Sequence, residues 1–417
     1  MNRYLNHGAS FETAGMAREI ELENKLISPE YQLRQEEQTR MFKHLPLKSI
    51  HASNYLSAAE PNISDLISPQ NFKEIISLAH LFPGNLTSFL GFECRLGDFD
   101  SRSDWAFAIS GRGGDRQVLA NLIGNGTFPQ QLSSQLEWQQ IADFAKVWIE
   151  PNSILQQKIQ CFWLEFDMPD PLPEINIPSV FFGPEKLPPN VSTNDVTQYK
   201  WLIDSALPLL KGKILSKSMK FQLLNCIQRL PSNASIQFIG VMLSRSTNGV
   251  RLYIKKLYPE QILPYLKSIG WSDETGEFSS LISELKDKAD RFVIGFDVNT
   301  EGIGPKIGIE CSFTSNRFHH ETRWSNLLNY LVKKGLCLPE KRDALLNYSG
   351  MDDTEHFSGG VMQPLSSASN HLDELLSSVL IRYISHVKIS YQARYPLEAK
   401  AYPAVRLFKI TNESMFV

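Results

Sequence analysis

The sequence predicts an α+β fold: a closed, ten-stranded antiparallel β-barrel built from five β-hairpins and ringed by α-helices. Three observations predict it. Paired runs of β-branched and aromatic residues recur at intervals of roughly 60 to 90 residues. Between the pairs, apolar residues return at helical spacing. Within the strands, one face is persistently aliphatic and the other is not. Sequential hairpins make antiparallel neighbours, because parallel pairs need a crossover each time. Closure removes the two exposed edges that ten strands would otherwise leave, and the outside of a barrel gives the helices an apolar surface to cover. An open sheet with helices on one face, or a two-domain α+β arrangement, also fits the pattern. The division expected is a helical region at residues 1–82 packed on a repeated hairpin–helix barrel at residues 83–417.

Along the chain, Ala14–Asn24, Pro29–Lys43 and Ser68–Leu81 carry helical spacing. Ser88–Leu96 and Trp105–Ser110 flank the turn-rich GDFDSRSD and form the first hairpin. Helical stretches at Arg116–Ile123 and Gln131–Ile149 lead to Cys161–Asp167 and Ser179–Gly183, joined by a proline-rich loop that is a candidate lid over the barrel mouth. Asp195–Leu210 and Lys217–Leu230 read as helices. Ile236–Arg245 and Val250–Leu257 flank Ser-Thr-Asn-Gly, where Asn and Gly accept positive φ. Helices at Tyr258–Ile269, with Pro259 in the first turn, and at Phe278–Ala289 precede the hairpin Arg291–Val298 and Lys306–Phe313. Helices follow at Arg323–Lys334, Glu340–Asn347 and within Leu365–Leu380. The last strands are Tyr383–Tyr391 and Ala404–Ile410.

Composition narrows the classes. Forty-two Lys and Arg against 45 Asp and Glu give a charge of −3, which argues against a dedicated nucleic-acid binder. Hydrophobic residues at 42% are ample for a core and exclude wholesale disorder. No run of 18 apolar residues appears, so no membrane span is expected. The five cysteines are widely spaced without a C-x-x-C, and read as buried thiols of a cytoplasmic protein.

The second strand face is the informative one. Glycine, charge and aromatics alternate there: Gly91, Glu93 and Arg95; Trp163, Glu165 and Asp167; Gly240 and Met242; Gly295 and Asp297; His386 and Lys388. The returning strands add Arg251, Tyr253 and Lys255, then Lys306, Gly308 and Glu310, then Arg406 and Phe408. Such a face is usually just solvated. Repeated glycines instead suit a wet barrel interior that a ligand approaches closely.

Five hairpins separated by helices over Phe89–Ile410, with the basic-x-aromatic strands Val250-Arg251-Leu252-Tyr253-Ile254 and Val405-Arg406-Leu407-Phe408, resemble the ABBA prenyltransferases. The resemblance implies a solvent-filled chamber in which inward cations and tyrosines hold an allylic diphosphate. It implies transfer of a prenyl group to an aromatic or peptide acceptor. Ionisation of such a donor leaves a diphosphate that Lys and Arg neutralise and a carbocation that aromatic walls stabilise. On this reading Arg251, Tyr253, Lys255, Lys306, Lys388 and Arg406 hold the diphosphate. Trp163, Phe181 and Phe408 form the wall, and Glu93 or Glu165 takes the acceptor's proton. Magnesium enters only as a companion of the diphosphate. Two departures stand out: Ser179–Gly183 and Trp105–Ser110 lack the basic pattern, and five acids (Glu93, Glu165, Asp167, Asp297, Glu310) share the face with the cations. Paired acids would leave fewer free cations. The alternative function is therefore a non-catalytic peptide- or ligand-binding partner protein of a peptide-modifying pathway.

Other motifs carry less. Met351-Asp352-Asp353-Thr354-Glu355-His356 reads as a polar loop, Gly111–Asp115 as a turn without a P-loop lysine, and His319-His320 as neighbours pointing apart. Gly335 and Gly270-Trp271 read as helix exits.

Overall fold

The computed structural model describes residues 51–411 except 88, 113, 125, 127, 246, 316–317 and 354–375, and describes 318, 352–353, 376–379 and 408–411 as backbone only. Among the described residues eleven strands are present: β1 Phe89–Arg95, β2 Ser103–Ser110, β3 Ile159–Phe166, β4 Ser179–Pro184, β5 Ser235–Val241, β6 Val250–Lys255, β7 Arg291–Asn299, β8 Gly302–Ser312, β9 Gly350–Asp353, β10 Leu376–Tyr391 and β11 Glu398–Thr411. They lie in one sheet in the order β11-β1-β2-β3-β4-β5-β6-β7-β8-β10-β9, and β10 pairs again with β11. Every pairing is antiparallel. The β10–β11 and β11–β1 ladders close ten strands into a barrel, so neither the open sheet nor the two-domain arrangement holds. The short β9 extends the edge of β10 beyond β8, with Met351 opposite Ile381.

Alternation drives closure. On β1 to β3, Leu90, Phe92, Trp105, Phe107, Phe162 and Leu164 point outward and are fully buried under helices. Phe82 sits among Trp105, Phe107, Phe128, Trp138 and Phe166, with ring centroids 4.9–6.4 Å away. Full burial of each such side chain is worth about 1.5–3 kcal/mol. The helices Ala52–Ile63 and Pro69–Ala79 join this layer, where Asn71 Oδ1 accepts the amide of Ser103 at 2.8 Å. Ser68, Ser153 and Ser216 cap helix starts by accepting from Asn71, Gln156 and Met219.

Several elements differ from the sequence expectation. The helices expected at Ala14–Asn24 and Pro29–Lys43 lie outside the described residues. Leu376–Leu380, expected in a helix, begins β10, because its backbone pairs with β11 from Leu376 opposite Thr411 to Leu380 opposite Leu407. β11 starts at Glu398, six residues earlier than expected, and runs through Pro403. Proline cannot donate to a ladder, and β10 shifts register opposite it, between Ile384 and His386. Asp195–Leu210 is a 3-10 turn at Val196–Tyr199, a π-helical turn at Leu202–Ala206 and a short α-helix at Leu207–Lys211. Met351–Asp353 is strand rather than loop. The rings of His319 and His320 lie 4.4 Å apart, because a 3-10 turn rather than a strand carries them. Gly335 takes φ +69, and Leu336 N donates to Leu331 O at 2.8 Å as a helix exit requires. All five cysteines are free, and burial pushes Cys94, Cys226 and Cys311 up to about 12.

Candidate active site: the charged chamber

Alternation along the strands that buries aliphatic residues outward turns a second set of side chains inward. Its centre is a cavity of ≈ 180 Å³ whose lining includes Glu93, Glu165, Arg245, Arg251, Lys388 and Lys400. The register assembles it: Glu93 stands opposite Asp104, Arg251 opposite Asp297, Glu310 opposite Lys388, and Lys388 opposite Lys400.

Most chamber cations already have anionic partners. Arg251 grips Asp297 with two hydrogen bonds of 2.8 and 3.0 Å. Arg245 donates to Asp167, whose second donor is Ser244 at 2.8 Å. Lys306 reaches Glu398 at 2.7 Å near the mouth, where both are exposed. Lys400 and the Tyr402 hydroxyl both donate to Glu93. Burial works to raise the Glu93 pKa, yet Lys400, Lys388 and Tyr402 together hold it well below the usual carboxylate range.

Lys388 is different. It is buried, and its ammonium lies 3.5 Å from the hydroxyls of both Tyr253 and Tyr402, with no carboxylate in ion-pair contact among the described residues. Three acids also lack a cation in ion-pair contact there. Burial, and then the charge of Glu93, push Glu165 up to about 7. Burial raises Glu310 to about 7 against the pull of Lys388. Asp104 rises to about 6 for the same first reason, although it accepts the Met168 amide at 2.8 Å. His386 stacks on Tyr402 at 4.0 Å, and burial beside Lys388 lowers it to about 3, so it stands neutral. Its Nε2 is 3.7 Å from Glu310.

Of the residues named from sequence, Glu93, Glu165, Arg251, Tyr253, Lys306 and Lys388 line this cavity. Trp163 and Phe181 belong to an aromatic cluster beside it, with Met242, Tyr253, Val293 and Phe238. Lys255 and Arg406 lie towards the opposite end of the barrel. Lys255 neighbours Lys256, Lys186 and Cys161, and exposed Arg406 sits 6.0 Å from the Phe89 ring. They do not converge with Arg251 on one point, because each lies two pleats away from the chamber row on its strand. The Phe408 side chain lies outside the described residues.

The glycines have a different use from the one expected. A Cβ at Gly240 would stand 2.6 Å from the Phe181 ring, one at Gly295 2.7 Å from Tyr253, and one at Gly308 2.9 Å from Lys388. They make room for the protein's own side chains rather than for a ligand. Sequence reasoning missed Asp104, Arg245, Lys400 and Tyr402. The alternation Glu398-Ala399-Lys400-Ala401-Tyr402 signals the last two, but Pro403 interrupts it. The proline-rich loop leaves the chamber rim and is tied down on the outside. Arg102 donates to Met168 O at 2.8 Å and to Pro169 O at 2.7 Å, and Trp138 Nε1 donates to Asn176 O at 3.1 Å.

No family model matches the chain, and no curated protein does. Among solved structures it is similar to AnaPT from Neosartorya fischeri, at 12% identity over 86% of this chain and 92% of that one, with a TM-score of 0.48. It is also similar to the apo form of the prenyltransferase PriB, at 10% identity over 88% and 97% and a TM-score of 0.48. NotF in complex with brevianamide F and DMSPP gives 10% identity over 87% and 96%, again with a TM-score of 0.48. At this level the chemistry of those proteins does not transfer, and the chamber's own side chains have to carry the assignment.

Proposed function

We propose that the chamber binds an allylic diphosphate and transfers its prenyl group to an aromatic or peptide acceptor. The observation that carries this reading is Lys388: a buried ammonium that hydrogen-bonds two tyrosine hydroxyls, and feels Glu93 and Glu310 only at longer range among the described residues, has room for an anion in direct contact. Tyr253 stands beside it as a further donor, while Arg251 and Tyr402 would first have to release Asp297 and Glu93. The diphosphate would seat on Lys388, and the bond from the allylic carbon to the bridging oxygen would break with charge passing to the diphosphate. The Tyr253 ring, 5.7 Å from the Lys388 ammonium, and Phe181, 5.9 Å from Tyr253, would supply the aromatic wall for the cation. Glu165, unpaired and raised, would accept the proton the acceptor loses. The described residues offer no group of three His, Cys, Asp or Glu side chains that could hold a metal ion, so any magnesium would come in with the diphosphate.

A specific observation favours a second reading, ligand binding without transfer. Arg245, Arg251, Lys306 and Lys400 are each committed to a carboxylate, and a cavity of ≈ 180 Å³ is below the ~300–1,000 Å³ of ordinary ligand sites. One pair of measurements separates the two. Calorimetry with dimethylallyl diphosphate should show binding that Lys388→Met weakens by about 1.5–3 kcal/mol. Turnover with an aromatic acceptor should vanish in Glu165→Gln while that binding survives. Binding without turnover by the unaltered protein, across aromatic and peptide acceptors, would leave the second reading. No binding of any prenyl diphosphate would remove the first.

A further inference from the structure

From Ser205 to Pro259 the chain carries nine Lys and Arg and no Asp or Glu, in a protein whose whole charge is −3. Four of these lysines fall in Lys211–Lys220, around the start of the helix Lys217–Gln228. Two large apolar side chains beside these four lysines stand out to solvent, Ile214 at 81% exposure and Phe221 at 67%. Lys213 and Lys217 are exposed beside them, and Lys217 shares a helix face with Phe221 through their i,i+4 spacing. Lys220 pairs with Asp204 at 3.0 Å, and Lys211 donates to the Asn248 carbonyl at 2.9 Å.

The same helix packs on the 3-10 turn Val196–Tyr199. That turn borders a surface cavity of ≈ 380 Å³ lined by Ile154, Lys158, Thr197, Lys200, Trp201 and Asp204 among others. One wall is the π-helical turn Leu202–Ala206, a distortion frequent at functional sites. The acids near this face include Asp204, which Lys220 holds, Asp195, which caps the turn by accepting from Thr197, and exposed Glu301, whose neighbour Thr300 accepts from Ser218 beside Lys217.

We propose that this face docks on an anionic phospholipid bilayer. Ile214 and Phe221 enter the headgroup layer, Lys213 and Lys217 meet lipid phosphates beside them, and Lys158 and Lys200 draw a headgroup into the cavity. Apolar side chains set among lysines are what an anionic interface recognises, since burial of the first and attraction of the second add. Each of the two apolar residues stands among lysines, whereas a protein interface gathers its anchors in one dry centre. The contact is peripheral, since no helix of the described residues is long and apolar enough to cross a membrane.

The test is co-sedimentation of the full chain with vesicles of phosphatidylcholine alone or with about 30% phosphatidylserine. Binding should need phosphatidylserine and fall as salt rises. Lys213→Glu with Lys217→Glu should lower partition by about tenfold or more, and Phe221→Ser by about threefold to tenfold. Equal sedimentation without phosphatidylserine, or no effect of the charge reversals in variants with the native circular-dichroism spectrum, would overturn the proposal. Should a variant unfold, the salt titration of the unaltered protein decides: salt-insensitive or absent binding rejects the docking. Capture by soluble polyglutamate without vesicle binding would assign the face to an acidic protein and equally reject it.

Discussion

Across β3 to β7 the barrel interior is filled by Phe181, Met242, Tyr253 and Val293, with Trp163 and Phe238 against them. One or two pleats along the same strands, the interior holds Glu165, Arg251 and Asp297 around a cavity. Both regions rest on identical backbone and are covered outside by the same helical layer. They differ in what an inward side chain can do for its neighbours. Rings lie flat over Gly240 and Gly295 and close the space. Charges demand partners at fixed distances, and so hold the walls of the chamber apart. A wet chamber beside a dry plug therefore follows from residue type at corresponding inward positions, without any change of fold.

The comparison can be broken by substitution. Phe181 and Phe182 are sequence neighbours pointing to opposite faces of β4. Phe182, fully buried against Phe144 and Trp201, should cost about 3–5 kcal/mol when replaced by Ala, while Phe181→Ala beside the wet chamber should cost roughly half as much. Denaturant unfolding measures both, and equal losses would mean that the plug is core like the outer layer. Glu93→Gln leaves Lys400 without its anion, and a loss of about 3 kcal/mol is expected. A neutral result would show the chamber to be far better solvated than its burial implies. Gly295→Ala must displace the Tyr253 ring, at about 1–3 kcal/mol by denaturant unfolding, and should also weaken the anion binding proposed at Lys388.

The smallest effect is a pH slope, and it would sharpen the contrast. Glu165 and Glu310 bind protons more tightly folded than unfolded, from a usual 4.5 to about 7. The unfolded chain therefore holds fewer protons across that window, and stability should fall as pH rises from about 4.5 to 7. Glu93 acts oppositely: its depressed pKa supports the fold above pH 4.5, and that support is lost only as pH falls through its folded value. Thermal melts of Glu165→Gln and Glu310→Gln should each be flatter across the window. An unchanged slope would place the titration elsewhere, with Asp104 next to be examined.

Much of this was legible in one sequence because it rests on local periodicity. Alternation in FWLEF or VIGFDV fixes which residues turn inward whatever lies next to the strand, so Glu93, Glu165, Arg251 and Lys388 could be named without coordinates. The turn Ser-Thr-Asn-Gly and the glycine exits at Gly270 and Gly335 are likewise decided within a few residues. What tertiary structure alone decided is pairing. Arg251 meets Asp297, 46 positions away, and Lys400 meets Glu93 across 307. No pattern in either segment announces its partner, because long-range register is set only when the barrel closes. The same closure separates Lys255 and Arg406 from the chamber although they share its face, for a strand advances about 3.3 Å per residue and two pleats exceed the reach of an ion pair. Period fixed the face of each side chain. Which charges were neutralised, and which chamber lysine stands without a carboxylate in ion-pair contact among the described residues, depended on distances that exist only in the closed barrel.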